Sequence, residues 1–346
     1  MSPTSTIDVA DVWLLVANRP GEIGQQRALG AALGVGVREL RVATLAPTGK
    51  SVAFDFAALR APWPRLAISF GKTLPAALRL RELSGGRVRI VHLGLPRRVP
   101  AAAIDLVVPM PTDRYIDAPN VVRIAMPLGT VPAMDATSAR RLRAAAWPRP
   151  WTALLIGGPT RRLHLGVGEI LRIAAAANEQ ALAAGGSLLV STSPRTPPEA
   201  AGPLRERLTA PGELYLFGRD DAGPNPYAAY VQLADELVVT GDSASMIAEC
   251  WRSGKTLRIA ALRERAPSRW MRRLRRGVPR PLLACGAIAG DVDLAGWIAG
   301  LVRSGRAGRL AGPAPAVPYR PGDDTDLARV AARVRALLDA DAGAGG

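Results

Sequence analysis

The sequence predicts an α/β protein of two domains, each built on a parallel sheet with helices on both faces. The chain has 346 residues, 48% of them hydrophobic, which exceeds one ordinary domain and supplies two cores. Short runs that are apolar on both faces alternate with helix-length segments from end to end, as parallel sheets require. The pattern restarts after "WPRPW", residues 147–151, which is typical of a rigid linker.

In the first half, the apolar run "VWLLVA" passes through a loop with proline and glycine into the amphipathic "EIGQQRALGAAL". The same order recurs where "RLAISF" meets "GKTLPAALRLREL". The predicted strands of this half are 12–17, 65–70, 87–93 and 105–109, and its predicted helices are 22–33 and 71–83. We therefore assign residues 1–147 to an N-terminal domain.

The second half repeats this alternation and ends in a proline-rich connector. Its predicted strands are 151–158, 187–193, 213–218, 236–241 and 255–260, and its helices run from about 167 to 184 and from about 324 to 340. We assign residues 148–322 to a C-terminal domain and 323–346 to a final helix with a disordered tail. Ligands of such sheets bind beyond the carboxyl ends of the strands, so the loops there are the place to look for a site.

Composition narrows the class of ligand. Lys and Arg number 45 against 29 Asp and Glu, a formal net charge of +16 that favours anionic ligands such as nucleotides or acidic lipid headgroups. Aromatic residues make up only 5% and do not alternate with basic ones, so we predict no nucleic-acid partner.

The sequence predicts neither a metal site nor a disulfide bond. Two cysteines, Cys250 and Cys285, and two histidines, His92 and His164, stand far apart in the sequence. The Asp-x-Asp of "GDVDL" (290–294) resembles a metal motif, but acidic residues there also suit the start of a helix, and we predict no metal and no cofactor. The first residues lack a signal-peptide pattern, and no apolar run reaches the ~20 residues of a membrane span, so we expect a cytoplasmic protein.

The stretch "VVTGDSASMIAEC", residues 238–250, predicts an anion site at a strand end. Gly241 permits a tight turn, and Asp242 or Ser243 can cap the helix that follows. The hydroxyls of Ser243 and Ser245 lie beside the N–H groups of the first helical turn, which together favour a phosphate.

Glu249 lies two turns into the same helix, where a carboxylate can accept hydrogen bonds from the two hydroxyls of a ribose. An N-capped core helix with a solvent-facing glutamate is the alternative interpretation. Three further strand-end loops favour the nucleotide, although each can also be an ordinary polar turn. The candidate residues in these loops are Gly157, Gly158, Ser193, Arg195 and Asn225.

Several motifs in this order resemble the mitochondrial-fission ELM-type family, from about residue 12 to 262. They are "NRPGEIGQQRALGAALG", "LIGGPTRR", "STSPRTP" and "NPYAAYVQLADELVVTGDSASMIAE". Bacterial members are described as glycosyltransferases of GT-B architecture, so the resemblance implies a GT-B-like fold of two Rossmann-like domains facing a cleft. "GDSASMIAECWRSGK" also resembles the nucleotide-sugar segment of GT-B enzymes such as the peptidoglycan N-acetylglucosaminyltransferase, where a Glu five residues before a Gly holds the ribose. Glu249 and Gly254 keep that spacing.

The resemblance implies a nucleotide-sugar donor on the C-terminal domain, with Arg195 neutralising the leaving diphosphate. It also implies that the loop holding Arg19, Gly21 and Gln25 faces the acceptor. Family members often carry a histidine where this chain has Glu22, so Glu22 would serve as the general base, with a pKa raised by burial. Capping of the following helix is the alternative role for Glu22.

The sequence is compatible with two function classes. One is a glycosyltransferase whose acceptor is lipid-linked or in the cell envelope, and the other is a non-catalytic GT-B-like protein that binds a membrane or a protein partner. The segment 263–280 holds eight arginines beside Trp270 and Met271. It is either a solvated basic face or a helix that attaches the protein to the inner face of an anionic membrane. The donor sugar, the acceptor, the stereochemical outcome and the oligomeric state are not predicted.

Overall fold

The computed structural model describes residues 11–46, 52–219, 223–265, 280–288, 290–313, 315, 317, 319–320 and 322–342. The strands are β1 Val12–Val16, β2 Val37–Arg41, β3 Ala43–Leu45, β4 Val52–Phe54, β5 Leu66–Phe70, β6 Arg89–Leu93, β7 Leu106–Val108, β8 Asp113–Arg114, β9 Trp151–Ile156, β10 Ser187–Thr192, β11 Gly212–Tyr215, β12 Glu236–Thr240, β13 Thr256–Ala260, β14 Asp291–Val292 and β15 Gly308–Arg309. The helices are α1 Pro20–Leu33, α2 Leu74–Leu83, α3 Ala136–Arg143, α4 Val167–Ala183, α5 Ala201–Arg207, α6 Tyr227–Leu233, α7 Ala244–Arg252, α8 Arg280–Ala284, α9 Leu294–Arg303 and α10 Asp326–Ala342.

The described residues fall into two compact units. Unit 1 takes its residues from Met1–Gly129, Arg275–Val292 and Asp324–Gly346, and unit 2 from Thr130–Leu274 and Asp293–Asp323. The predicted domain boundary lay at residue 148, whereas residues 130–147 group with unit 2, where α3 contacts α6 and Arg141 pairs with Glu213.

Unit 1 contains a parallel five-stranded sheet in the order β2-β1-β5-β6-β7. Every residue of β1 and β5 is buried, because helices cover both faces of the sheet. Strand order reverses between β1 and β5, so the loops after these two strands flank a topological switch point.

The last helix, α10, completes the core of unit 1 and packs against α1. Its apolar stripe, Val330, Ala331, Val334 and Leu338, joins the same hydrophobic cluster as Leu14 of β1. At its start, the Asp326 carboxylate accepts hydrogen bonds from the backbone N–H groups of residues 125 and 126, at 2.6 and 3.2 Å. The helix that we predicted as a separate C-terminal segment therefore belongs to unit 1.

Unit 2 contains a parallel six-stranded sheet in the order β11-β10-β9-β12-β13-β15. This is the order of a doubly wound dinucleotide-binding sheet, with its switch point between β9 and β12. All six residues of β9 and all six of β10 are buried. The predicted α/β fold with parallel sheets is confirmed in both units.

The strands that we did not predict lie at an edge of a main sheet or in small separate sheets. In β2, "VRELR", only Leu40 is buried, so the strand lacks the apolar run that marked the central strands. The hairpin of β3 and β4 and the short antiparallel pair of β8 and β14 are too brief to give a period in the sequence. Asp293 caps α9 by accepting from the Gly296 N–H at 3.0 Å, as the alternative to the metal motif predicted.

Two predictions fall largely outside the described residues: the basic helix of 263–280, of which 266–279 are not described, and the tail at 343–346. Of the helices in the described ranges, none has both the length and the apolar character needed to cross a bilayer. Within those same ranges, no group of three or more His, Cys, Asp or Glu side chains could hold a metal ion.

Candidate functional site

The switch point of unit 2 brings together the turns that follow β9 and β12. The Gly157 N–H donates to Thr240 Oγ1 at 2.8 Å, and the Gly158 N–H donates to Asp242 Oδ2 at 3.0 Å. Thr240 in turn donates to Asp242 Oδ1 at 2.6 Å. The two strand ends are therefore joined by a buried carboxylate and a buried hydroxyl.

Both glycines of this turn are required by packing. A Cβ atom on Gly157 would lie 2.1 Å from Asp242 Oδ2, and one on Gly158 would lie 2.1 Å from the backbone oxygen of Arg195. The atoms that approach these two glycines in this structure belong to the protein itself.

Arg195, which follows β10, is held to the same network. Its guanidinium donates to Asp242 Oδ2 at 2.7 Å and to the Gly158 carbonyl at 2.9 Å. The Arg195 side chain is 39% exposed, whereas the Asp242 side chain is fully buried. Ser193 shapes the turn, since its Oγ accepts from the Arg195 N–H at 3.3 Å. Arg195 thus links the ends of β9, β10 and β12 through hydrogen bonds, while part of its guanidinium group is exposed to solvent.

The N-terminus of α7 closes the other side of the switch point. Ser243 is its N-cap, and the Ser243 hydroxyl accepts from the Met246 N–H at 3.4 Å. Ser245 lies half-buried in the first turn. A Cβ atom on Gly241 would be crowded, because it would lie 3.1 Å from the Ala260 carbonyl oxygen and 3.2 Å from Ile298.

Glu249 is half-buried and its Oε2 accepts a hydrogen bond from the Tyr227 hydroxyl at 2.5 Å. Burial raises the pKa of Glu249, while the Tyr227 hydrogen bond and Arg252 lower it. Asn225 is exposed and accepts from the Tyr227 N–H at 3.0 Å, so it shapes the start of α6. Gly254, with a φ of +75°, follows the end of α7 and supplies the left-handed backbone conformation there.

The sequence did not identify Asp242, Thr240 and Thr196 as the groups that hold the turns together. Thr196 donates to the Gly157 carbonyl at 2.6 Å and thereby links the loop after β10 to the one after β9. The Thr-Gly-Asp at the end of β12 was the available signal for Asp242, but capping by Asp242 and by Ser243 could not be told apart from the pattern.

In unit 1, the loop after β1 places the predicted acceptor residues at the start of α1. Arg19 is exposed and precedes the helix, Gly21 and Glu22 lie in its first turn, and buried Gln25 donates to the Gly21 carbonyl at 3.2 Å. The Glu22 side chain is 23% exposed. Burial raises the pKa of Glu22 to about 7, and the charges of Arg19, Arg97 and Lys72 oppose this rise.

The architecture defined by these two doubly wound units, each with polar loops at its switch point, is GT-B-like. The S. aureus protein MnaA, whose structure was solved with UDP, shares this fold with a TM-score of 0.51 and 12% identity, over 95% of this chain and 96% of MnaA. The E. coli ADP-heptose LPS heptosyltransferase II matches with a TM-score of 0.42 and 10% identity, over 72% of this chain and 84% of that chain.

The chain belongs to the mitochondrial fission ELM1 family, whose model matches residues 20–288. The mitochondrial fission protein ELM1 of Arabidopsis thaliana is 24% identical over 223 residues, which are 57% of this chain and 51% of that protein. The matched region thus spans about half the length of the plant relative. The resemblance found in the sequence is confirmed.

Proposed function

We propose that this protein is a glycosyltransferase that takes a sugar from a nucleotide-sugar donor bound to unit 2. The observation that carries the proposal is the placement of Gly157-Gly158 and the Ser243-capped helix at the switch point of a doubly wound sheet. Nucleotides bind such sheets at that point. The S. aureus protein of the same fold was solved with UDP, which adds support for a nucleoside diphosphate.

In this proposal, the diphosphate lies against the first turn of α7, where Ser243 and Ser245 offer hydroxyls and the helix dipole favours negative charge. Glu249 accepts hydrogen bonds from the ribose hydroxyls through the oxygen that does not bind Tyr227. Arg195 neutralises charge on the leaving diphosphate with the exposed part of its guanidinium.

The transfer itself breaks the bond between the sugar C1 and the donor phosphate and forms a bond between C1 and an acceptor oxygen. The acceptor hydroxyl loses its proton to Glu22, and the nucleoside diphosphate leaves. A base with a pKa of about 7 is suited to this step, because it is substantially deprotonated at neutral pH and still accepts a proton readily.

Calorimetric titration of the full chain with UDP, ADP, GDP and dTDP tests the nucleotide site. We expect one of them to bind, and Glu249→Gln to weaken it by about 10- to 150-fold, since hydrogen bonds to a charged group contribute about 1.5–3 kcal/mol. Glu179→Gln, at an exposed position of α4, is the matched control and should bind as the wild type does. Failure of all four nucleotides to bind would refute the proposal.

Turnover separates an enzyme from a protein that only binds. Release of the nucleoside diphosphate from the donor sugar should be measured for the wild type and for Glu22→Gln. We expect kcat to fall about 10²- to 10⁴-fold in the variant, as for loss of a general base, with unchanged nucleotide affinity. Nucleotide binding without any turnover would favour the non-catalytic alternative, a GT-B-like protein acting at a membrane surface or with a protein partner.

A further inference from the structure

The side chain of Gln26 is a buried amide at the switch point of unit 1. It lies on α1 and is 1% exposed. Its Nε2 donates to the Leu15 carbonyl of β1 and to the Ile68 carbonyl of β5, both at 2.9 Å. These are the two strands between which the strand order reverses. One amide therefore joins α1 to both strands of the switch point.

The packing of α1 does not itself require an amide at this position. Other side chains of the helix, such as Ile23 and Leu29, pack against the sheet as part of the apolar core. Burial of an amide is unfavourable unless the amide is hydrogen-bonded, and here both hydrogens of Nε2 have an acceptor. Hydrogen bonds restrict distance and direction more narrowly than apolar contacts do. Gln26 therefore fixes where α1 lies on the sheet.

The start of α1 carries Glu22 and depends on this fixed point. Arg19 occupies the N-cap position, but its side chain does not cap the first turn. Gln26 follows Glu22 by four residues, which is about one helical turn, so both side chains project from the same face of α1. The position of Gln26 thus sets the height and the rotation of the turn that carries Glu22.

The Glu22 carboxylate lies over the loop that follows β5. A Cβ atom placed on Gly71, the first residue of that loop, would be 3.9 and 4.0 Å from the two carboxylate oxygens. Gly71 has a φ of +53° and offers no side chain that would push the carboxylate away. Gln26 and Glu22 therefore both meet β5 or its end, the first through the Ile68 carbonyl and the second above Gly71.

We propose that Gln26 is the positioning residue that holds the Glu22 carboxylate over the loop after β5. This inference deepens the proposed function and rests on it for the role of Glu22 as the general base. Without Gln26, the Leu15 and Ile68 carbonyls lose this donor in a buried place, which costs free energy unless water enters. Entry of water moves the start of α1 away from the sheet and exposes the carboxylate to solvent.

Carbon-13 NMR of the glutamate carboxyl groups in the full chain tests this positioning. In the wild type, the Glu22 carboxyl should titrate with a pKa of about 7, because burial raises the pKa against the charges of Arg19, Arg97 and Lys72. Gln26→Met keeps the length of the side chain and removes both N–H donors. We expect the pKa of Glu22 to fall more than halfway toward its ordinary value of 4.5 in this variant. The signal is assigned with Glu22→Gln.

Turnover provides a second readout. Release of the nucleoside diphosphate from the donor should have a kcat that is about 10- to 100-fold lower in Gln26→Met, since the base is misplaced, while nucleotide affinity stays unchanged. The acidic limb of the pH profile should move to lower pH together with the pKa of Glu22.

Two controls on α1 separate positioning from general stability. Leu33→Ala removes a buried side chain from the last residue of the helix and should lower the melting temperature. Arg27→Gln breaks the exposed ion pair between α1 and Glu39 of β2. Both variants should keep the wild-type kcat and the wild-type pKa of Glu22, because neither touches the hydrogen bonds of Gln26.

The outcomes distinguish this inference from the proposed function. An unchanged pKa of Glu22 in Gln26→Met, or an equal fall in Leu33→Ala, would overturn the inference. Failure of both Gln26→Met and Gln26→Leu to fold would also overturn it, because Gln26 would then serve folding alone. If kcat depends on Glu22 but not on Gln26, the proposed function stands without the inference. If no nucleotide binds, the proposed function fails, and a fall in the pKa still supports the positioning of Glu22.

Discussion

At the scale of single residues, the hydrogen bond from Tyr227 to Glu249 prepares the proposed ribose-binding carboxylate. It holds Oε2 at 2.5 Å from the tyrosine oxygen, and it opposes the rise in the pKa of Glu249 that burial causes. The hydroxyl therefore helps to keep Glu249 ionised and fixes its orientation.

We predict that Tyr227→Phe lowers the free energy of unfolding by about 1–3 kcal/mol, because it leaves a half-buried carboxylate oxygen without this donor. Urea unfolding measures the loss. In a Glu249→Ala background the same substitution should cost much less, and the difference is the coupling energy of the pair. Equal costs in the two backgrounds would mean that the hydrogen bond contributes nothing.

Glu22 makes the stability of unit 1 depend on pH in a direction that is unusual for a carboxylate. Its pKa of about 7 lies above the ordinary value of 4.5, so the folded state holds the proton more tightly than the unfolded state does. The protonated Glu22 side chain therefore contributes to the free energy of unfolding. This stabilisation is fully present below pH 4.5 and is lost as pH rises through 7. Each pKa unit is worth about 1.4 kcal/mol, which sets an upper limit of about 3 kcal/mol.

We therefore predict that Glu22→Gln raises the thermal stability relative to the wild type at pH 8 and not at pH 4.5. Melting temperatures across this range measure the difference, and the other titrating groups cancel in the comparison. Arg19, Lys72 and Arg97 remain in both proteins, so a pH-independent difference would show that Glu22 titrates normally.

Individual positions in the site could be predicted where the backbone itself demands a residue type. Gly157, Gly158 and Gly241 were identifiable as glycines after apolar strands, whereas the cap was narrowed only to Asp242 or Ser243, and the structure shows that it is Ser243. The partners of these residues were not identifiable, because pairings such as Arg195 with Asp242 join positions that are distant in sequence. Such contacts depend on strand order, which the pattern of single strands does not encode.

At the scale of elements, the two glycines that follow β9 leave no room for a Cβ atom. We predict that Gly158→Ala destabilises unit 2 by at least about 1–3 kcal/mol, since the new Cβ would meet the Arg195 backbone and force the strand ends apart. Gly168→Ala in α4 is the matched control, with no atom within 4 Å of its Cβ, and should stabilise by about 0.4–1 kcal/mol. A neutral Gly158→Ala in thermal unfolding would contradict this packing.

A second prediction at this scale concerns the final helix, α10. Leu338 of α10 is 3% exposed and belongs to the core of unit 1, so Leu338→Ala should cost about 2–5 kcal/mol of unfolding free energy. Asp339→Ala, at the next and exposed position, should change the free energy by no more than about 0.5 kcal/mol. Similar small effects for both, measured by urea unfolding, would mean that α10 is not part of this core.

Elements differ in how well the sequence predicts them because burial differs. Strands such as β1, β5 and β9 are buried on both faces and therefore appear as continuous apolar runs. The edge strand β2 has one buried residue, and its formation depends on pairing with β1. Helix α10 belongs to unit 1 because it packs against α1. Its amphipathic sequence predicts that one face is buried, but not which helix covers that face.

At the scale of the whole molecule, the two units have different strand orders, but the main sheet of each contains a topological switch point. Unit 2 has its switch point between β9 and β12, and unit 1 has its own between β1 and β5. In each, the conspicuous polar residues of the strand-end loops gather beside the switch point. The net charge of +16 suits the proposed nucleotide ligand, which is anionic.

Hydrogen–deuterium exchange with and without the nucleoside diphosphate that binds tests the nucleotide site of unit 2 most directly. We predict slower exchange in peptides covering 155–163, 191–197 and 240–250, the three loops at the switch point of unit 2. Exchange in peptides from the core of unit 1, such as 66–70, should not change. Protection absent from these three loops, or concentrated elsewhere in the chain, would contradict a nucleotide site at this switch point.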